Sequence, residues 1–339
     1  MKKLIPILLI LVIPIISLGE KVNIRKAKKV AQRIYKLDKP DKDELKIENF
    51  ITLGNNNDTL LYVFSYPDDG FVIISAEDAA PPVLGHCKKG KYEPENMPGG
   101  LLYLIEKYQY SISSLREKKS VASEKIKKQW INILNDDSQL KSYTIGTTLL
   151  STSWGQEDGY NDECPNEWPA GCTAVAMAQI LRRWGCQIDP SGSVNYQYGS
   201  ISFGDYTYNW EDMNDGSPDD DNAQLIYHAG VSCLTNYGSN SSTSLPWKAR
   251  NGFVDFWGID SDADLKWRIW HLSNWQDMLE DEIDLERPIL YSAASGSSGH
   301  SWVIDGYEQD GDFWCNWGWN GDFNGPFSLG FELPGDMGS

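Results

Sequence analysis

Cationic side chains are nearly missing from the second half of this 339-residue chain. From Gly146 to Ser339 there are 7 Lys and Arg against 30 Asp and Glu, a net charge of −23. So acidic a surface repels phosphate backbones and anionic bilayers, which argues against nucleic acid and membrane as partners. Glu20 to Ile145 carries 21 against 18, a net of +3, and a mildly basic half joined to a strongly acidic one suggests that the two dock. Long apolar runs are missing too. Beyond residue 16 no segment has the length and freedom from charge that a membrane span needs. Internal repeats are absent, and histidine is scarce, with only four. The acidic stretch from Asp205 to Asn222 lacks the alternating oxygen ligands and distal Glu of a calcium loop. It reads as a solvated loop entering a helix, so neither a metal nor a cofactor is expected.

What is present describes a globular chain, 41% hydrophobic and rich in aromatics, with 14 Trp and 17 Tyr. Its length allows two domains and a sizeable core. The first residues differ from the rest. Lys2 and Lys3 precede an apolar run from Leu4 to Ile16 and then Ser17-Leu18-Gly19, the order of a secretory signal peptide over residues 1–19. Export of a protein that is not anchored in a membrane is the expectation. Six cysteines in an exported chain raise the question of disulfides, and if one must stay free, at most two bridges remain. Isolated buried thiols fit equally well, because a chain this long needs no staples.

Apolar spacing predicts a helix over residues 21–36, others from about Gly100 to Lys119 and Ser123 to Leu134, and a hairpin of Leu60–Phe64 with Phe71–Ser75 across Pro67-Asp68-Asp69-Gly70. Asn135 to Gln139 reads as an exposed linker open to proteolysis. Beyond it, Trp154-Gly155-Gln156 precedes a loop rich in Asp, Asn and Pro. Helices are expected from Cys172 to Trp184 and from Asp220 to Tyr237, followed by strands around Pro288–Ser292, Trp302–Tyr307 and Phe313–Trp317. Helices first and strands after make the second half α+β.

Cys172 follows the small-residue turn Pro169-Ala170-Gly171 and opens a helical pattern. A thiol on the first turn of a helix is shifted toward the nucleophilic thiolate by unpaired N–H groups and the helix dipole. Taken alone, such a cysteine is more often a small buried apolar residue. Its case rests on a base and an orienting group downstream. His86 is expected in the first half at a turn after a strand, while His228 inside a helix and His271 in a Trp-rich helical stretch read as structural. His300 follows Ser298-Gly299 and opens a strand, which puts an imidazole beside flexible backbone. Asn316 can hydrogen-bond that ring, Trp317 can shield the bond from water, and Gln156 can join the Cys172 N–H in binding an oxyanion. The bland alternative for Asn316-Trp317-Gly318-Trp319 is an aromatic strand end packing a β core.

Ala170-Gly171-Cys172-Thr173-Ala174-Val175-Ala176-Met177-Ala178-Gln179-Ile180, Gly299-His300-Ser301-Trp302-Val303-Ile304-Asp305-Gly306-Tyr307 and Asn316-Trp317-Gly318-Trp319 together resemble the streptopain family of papain-like cysteine proteases. Gly70-Phe71-Val72-Ile73-Ile74-Ser75-Ala76 and Pro82-Val83-Leu84-Gly85 are similar to the inhibitory propeptide of such enzymes. The resemblance implies a papain-like α+β fold, with a helical and an antiparallel β subdomain over residues 146–339. An α+β propeptide over residues 20–145 would act as an intramolecular inhibitor. It also implies a secreted endopeptidase zymogen acting on polypeptides, with Cys172 as nucleophile, His300 as general acid/base, Asn316 as orienting residue and Gln156 as oxyanion donor. Ser298 stands where the family usually has a glycine, and Trp314-Cys315 replace a smaller pair before Asn316. Two other readings keep the fold: a thiol amidase or transpeptidase on cell-wall or isopeptide substrates, and an inactive binding module.

Overall fold

The computed structural model describes residues 19–42, 50–55, 58–135, 148–295, 298–309 and 311–331. The expected signal peptide and the linker after Asn135, with its junction at 145/146, fall almost wholly outside the described residues.

Strands from both halves build one antiparallel sheet. The first half supplies β1 (Phe50–Asn55), β2 (Asp58–Ser65), β3 (Phe71–Ser75) and β4 (Val83–Cys87). The second half supplies β7 (Ile289–Ser295), β8 (Ser298–Tyr307), β9 (Phe313–Asn316) and β10 (Gly325–Phe327). The order is β1-β2-β3-β4-β10-β9-β8-β7, so the seam between the halves is the β4–β10 pair, in register at Gly85 and Phe327. Sequence reading anticipated docked halves and missed the shared sheet, because three-residue β10 is too short to show a period. A small hairpin, β5 (Ser193–Tyr196) with β6 (Gly199–Ser202), stands apart.

The continuous apolar runs of β2 and β3 are explained by burial on both faces. Tyr62, Phe64, Val72 and Ile74 point to α1 (Ile24–Asp38) and α3 (Glu124–Asn135). Leu61, Val63, Phe71 and Ile73 point the other way, toward α2 (Gly99–Glu117). Leu101, Leu104, Ile105, Tyr108 and Ile112 of α2 share a single core with Trp302, Ile304, Trp317 and Phe327 of the second half. Docking is therefore mainly apolar, with Lys89–Asp322 (2.6 Å) as an ion pair across it. Around α4 (Cys172–Trp184), α5 (Asp220–Ser232) and α6 (Pro246–Phe256) build a separate core that includes Trp154, Phe203 and Trp257. A further helix, α7 (Trp275–Asp284), precedes β7.

Three expectations are corrected. The helix expected to run to Tyr237 ends at Ser232, because Leu234 turns left-handed (φ 52) and Thr235 N–H closes on the Gly230 carbonyl at 2.9 Å. His86 lies within β4 rather than at a turn. It is buried, with Nδ1 2.9 Å from Asp38 Oδ2, which also accepts from Tyr66 Oη at 2.7 Å. His271 caps a short 3₁₀ turn, Arg268–Trp270, instead of sitting in a longer helix. All six cysteines are free thiols, which settles the disulfide question for isolated thiols.

Asp305, on β8, is buried with its Oδ2 accepting from Leu150 N–H at 3.2 Å. Burial pushes its carboxyl up to about 7. A folded-state value above the unfolded one means that the protonated form favours folding. The stabilisation is complete below the ordinary carboxylate range and is lost as pH rises through about 7. Urea unfolding of Asp305→Asn against the parent should show the difference moving toward the variant between pH 4 and 8, by at most about 4 kcal/mol. A pH-independent difference would contradict this.

Candidate active site

The turn before α4 fixes the thiol. Gly171 has φ +91, and a Cβ there would lie 2.8 Å from the Ser242 carbonyl oxygen, so only glycine fits. Cys172 is then the first residue of a helix rich in Ala, with every side chain from Thr173 to Leu181 buried. Cys172 itself is half-buried, at the end of the helix where backbone N–H groups and the positive pole of the dipole meet.

His300 is brought opposite by β8, whose register with β7 pairs it with Ala293. Its Nε2 lies 3.0 Å from the Trp317 carbonyl oxygen. A carbonyl only accepts, so Nε2 carries the proton and Nδ1 is left for the thiol. Ring contacts come from Trp302 (6.1 Å, stacked), Trp317 (6.3 Å) and Trp319 (6.0 Å, edge-on). Burial pushes the Cys172 thiol up, but His300, through its charge and hydrogen bond, outweighs it, aided by Ser301 N–H (3.4 Å from Sγ) and the Thr173 hydroxyl. The thiol is lowered to about 7. Burial likewise opposes a charged His300, and the Cys172 sulfur and the Trp317 carbonyl overcome it, holding the imidazole above its ordinary value. Such a pair shares one proton near neutrality, which is what a thiolate nucleophile with an attached acid requires.

Asn316 is buried at the end of β9, but the hydrogen bond expected from it to the imidazole is replaced. Its Nδ2 donates to the Thr152 carbonyl (2.7 Å) and Gln179 Oε1 (3.1 Å). Its Oδ1 accepts from Gly318 N–H (3.2 Å) and Gln179 Nε2 (3.3 Å). The side chain is thus fully engaged in pinning the turn that presents the Trp317 carbonyl. Trp317 is wholly buried against Trp302 and Phe327. Gln156 is half-buried, and its carbonyl accepts from Ala170 N–H at 2.9 Å, so it lies along the segment entering Cys172. Gly299 is exposed, and a Cβ there would meet only ordinary contacts at 3.7 Å, so space does not demand glycine at that position.

Sequence reasoning missed Gln179, which also accepts from Trp154 N–H at 3.2 Å. A signal existed: Gln179 is the one amide in an apolar helix and lies two turns from Cys172, on the same side. It also missed Trp302 and Trp319 beside the imidazole, since a ring contact between elements leaves no local pattern. The first half reaches the site as well. A Cβ at Gly100, on the first turn of α2, would fall 3.0 Å from His300 Cδ2. Among the described residues no cluster of side chains could hold a metal, and no helix is long and apolar enough to cross a membrane.

Comparison with known proteins bears on both halves. Residues 154–327 match the Peptidase C10 family, and residues 19–112 match the Spi protease inhibitor family. The thiol protease/hemagglutinin PrtT of Porphyromonas gingivalis is 27% identical over 98% of this chain and 41% of its own length. This chain thus spans about two fifths of that relative. Streptopain of Streptococcus pyogenes is 22% identical, over 88% of this chain and 80% of its own. The structure of a Prevotella intermedia prointerpain A fragment superposes with a TM-score of 0.68 at 26% identity, covering 86% of this chain and 95% of that one.

Proposed function

From the premise that the chain belongs to the Peptidase C10 family, and carries a Spi-type propeptide region, we propose that it is a secreted cysteine endopeptidase zymogen cleaving polypeptides. The observation that carries this reading is geometric: Cys172 opens α4 with its sulfur 3.4 Å from Ser301 N–H, beside a His300 ring whose Nε2 is held by the Trp317 carbonyl, and the thiol is lowered accordingly.

The Cys172 thiolate attacks the scissile carbonyl carbon, and the oxyanion that forms is met by the Cys172 N–H and the Gln156 side-chain amide. The His300 Nδ1–H gives its proton to the departing amine, leaving a thioester on Cys172. Water then loses a proton to Nδ1, attacks the thioester, and expels the thiolate. Asn316 acts on the ring through the turn it pins, keeping the Trp317 carbonyl on Nε2–H so that Nδ1 always faces sulfur. Trp317 excludes water from that bond, and Gly299 leaves room beside the ring for substrate.

Latency follows from the docked first half, whose α2 covers one side of His300. Cleavage within residues 138–152 would separate the propeptide of residues 20–145 from the peptidase of residues 146–339. The segment 1–19 supports secretion. The test offers the purified protein an unfolded polypeptide and, separately, peptidoglycan fragments. Peptide cleavage that stops when Cys172 is alkylated is the expected result. Amine release from peptidoglycan without polypeptide cleavage would replace the reading with an amidase, and neither activity would leave a binding module.

A further inference from the structure

Three hydroxyl groups lie in line behind the Cys172 sulfur, and none belongs to the nucleophile, base or oxyanion site. Ser292 Oγ on β7 is 2.8 Å from Ser301 Oγ on β8, its direct register partner. Ser301 Oγ is 3.0 Å from Thr173 Oγ1 on the first turn of α4. Ser301 N–H reaches the sulfur at 3.4 Å, and the Thr173 hydroxyl, on the residue next to Cys172, helps to lower the thiol. Ser301 and Thr173 are buried at 5% and 3% exposure, so water does not compete for the bond between them, while Ser292 is half-buried.

Each hydroxyl has one proton, and a thiolate can only accept. With sulfur ionised, a Thr173 hydroxyl turned toward it can only donate, Ser301 then donates to Thr173, and Ser292 to Ser301. All three protons point one way, and each bond polarises the next. With sulfur neutral or acylated this constraint disappears, so the aligned chain favours the ionised state specifically. Resting on the catalytic reading above, we propose that Ser292, Ser301 and Thr173 are positioning residues forming a one-directional donor chain that stabilises the Cys172 thiolate. A purely structural tie between α4 and the β7–β8 pair would hold the helix in place but leave the thiol's titration unchanged.

The experiment follows iodoacetamide alkylation of the full chain across pH, reading the Cys172 peptide by mass spectrometry so that the other five cysteines do not interfere. Thr173→Val removes the hydroxyl at constant shape. It should move the inflection of alkylation upward by about one pH unit, the loss of one charge-assisted hydrogen bond. Ser301→Ala should do the same and Ser292→Ala less, while Thr173→Ser should restore the original inflection. Thermal unfolding checks that each variant is folded, and Thr173→Val carries the test if Ser301→Ala is not. An inflection unmoved in folded Thr173→Val overturns the chain and leaves the nucleophile assignment standing. A parent protein whose Cys172 reacts as an ordinary thiol overturns both.

Discussion

Cys172→Ala should leave the purified chain at its full precursor mass and without peptidase activity, a loss of about 10⁴-fold or more as for other nucleophile–base pairs. His300→Ala should abolish activity as completely, for a different reason that one measurement separates. In the parent, the imidazole outweighs the burial that drives the thiol up, and the result is about 7. Removing the ring leaves the burial and takes away the largest opposing influence, so the thiol should titrate at or above its ordinary value. Near neutral pH Cys172 then alkylates slowly in His300→Ala, whereas a ring acting only in proton transfer to the leaving group would leave alkylation fast. Processing that continues at the parent rate in pure Cys172→Ala would remove the autocatalytic reading altogether. Double replacement should cost little more than either single one, because two members of one proton-sharing pair do not contribute independently.

The site was legible in the sequence to the extent that each residue carried its own local signal. The small-residue turn ending in Gly171 announces a helix start, and the pattern Ala174 to Leu181 fixes the helix that follows. His300 stood out because it opens a strand beside flexible backbone, whereas His86 read as a turn and His228 and His271 as helical positions. Two of those three now have partners: His86 with Asp38, and His228 with the Tyr208 hydroxyl at 2.8 Å. What could not be read was any relation formed between distant elements. The Asn316 side chain is spent on Thr152, Gln179 and Gly318, and a backbone carbonyl, invisible to residue type, takes its place on the ring. The shared sheet escaped for a similar reason. Gly85 reads as a familial residue in the first half, the strand that holds Phe327 shows no period of its own, and only their opposition makes a seam. Charge did mark two halves that dock, but the contact is an apolar core, which the patterns of Leu101 to Ile112 show only once their partners Trp302 and Phe327 are known.

Replacing Gly85 with alanine should therefore release the enzyme early. A Cβ at this position would fall 2.2 Å from Phe327 Cδ1 and 2.7 Å from Cε1, far inside contact distance. Phe327 cannot yield freely, since it is wholly buried and meets Trp317 edge-on at 5.3 Å. The strain must open the β4–β10 pair, held nearby by Ser328 N–H to the Leu84 carbonyl (3.0 Å) and Phe323 N–H to the Lys89 carbonyl (2.8 Å). Overpacking of this kind costs about 1–3 kcal/mol, which raises the undocked fraction roughly 5- to 150-fold. The lag before full-length chain disappears should shorten by a similar factor, and Gly85→Val should shorten it further or prevent docking. On the proposed division position 85 lies in the segment removed on maturation, so the processed enzyme from either variant would be chemically the parent enzyme and should show the parent rate. An unchanged lag would mean that the β4–β10 pair does not hold the halves together. A changed rate in the processed enzyme would mean that the first half is not removed but works as part of the peptidase.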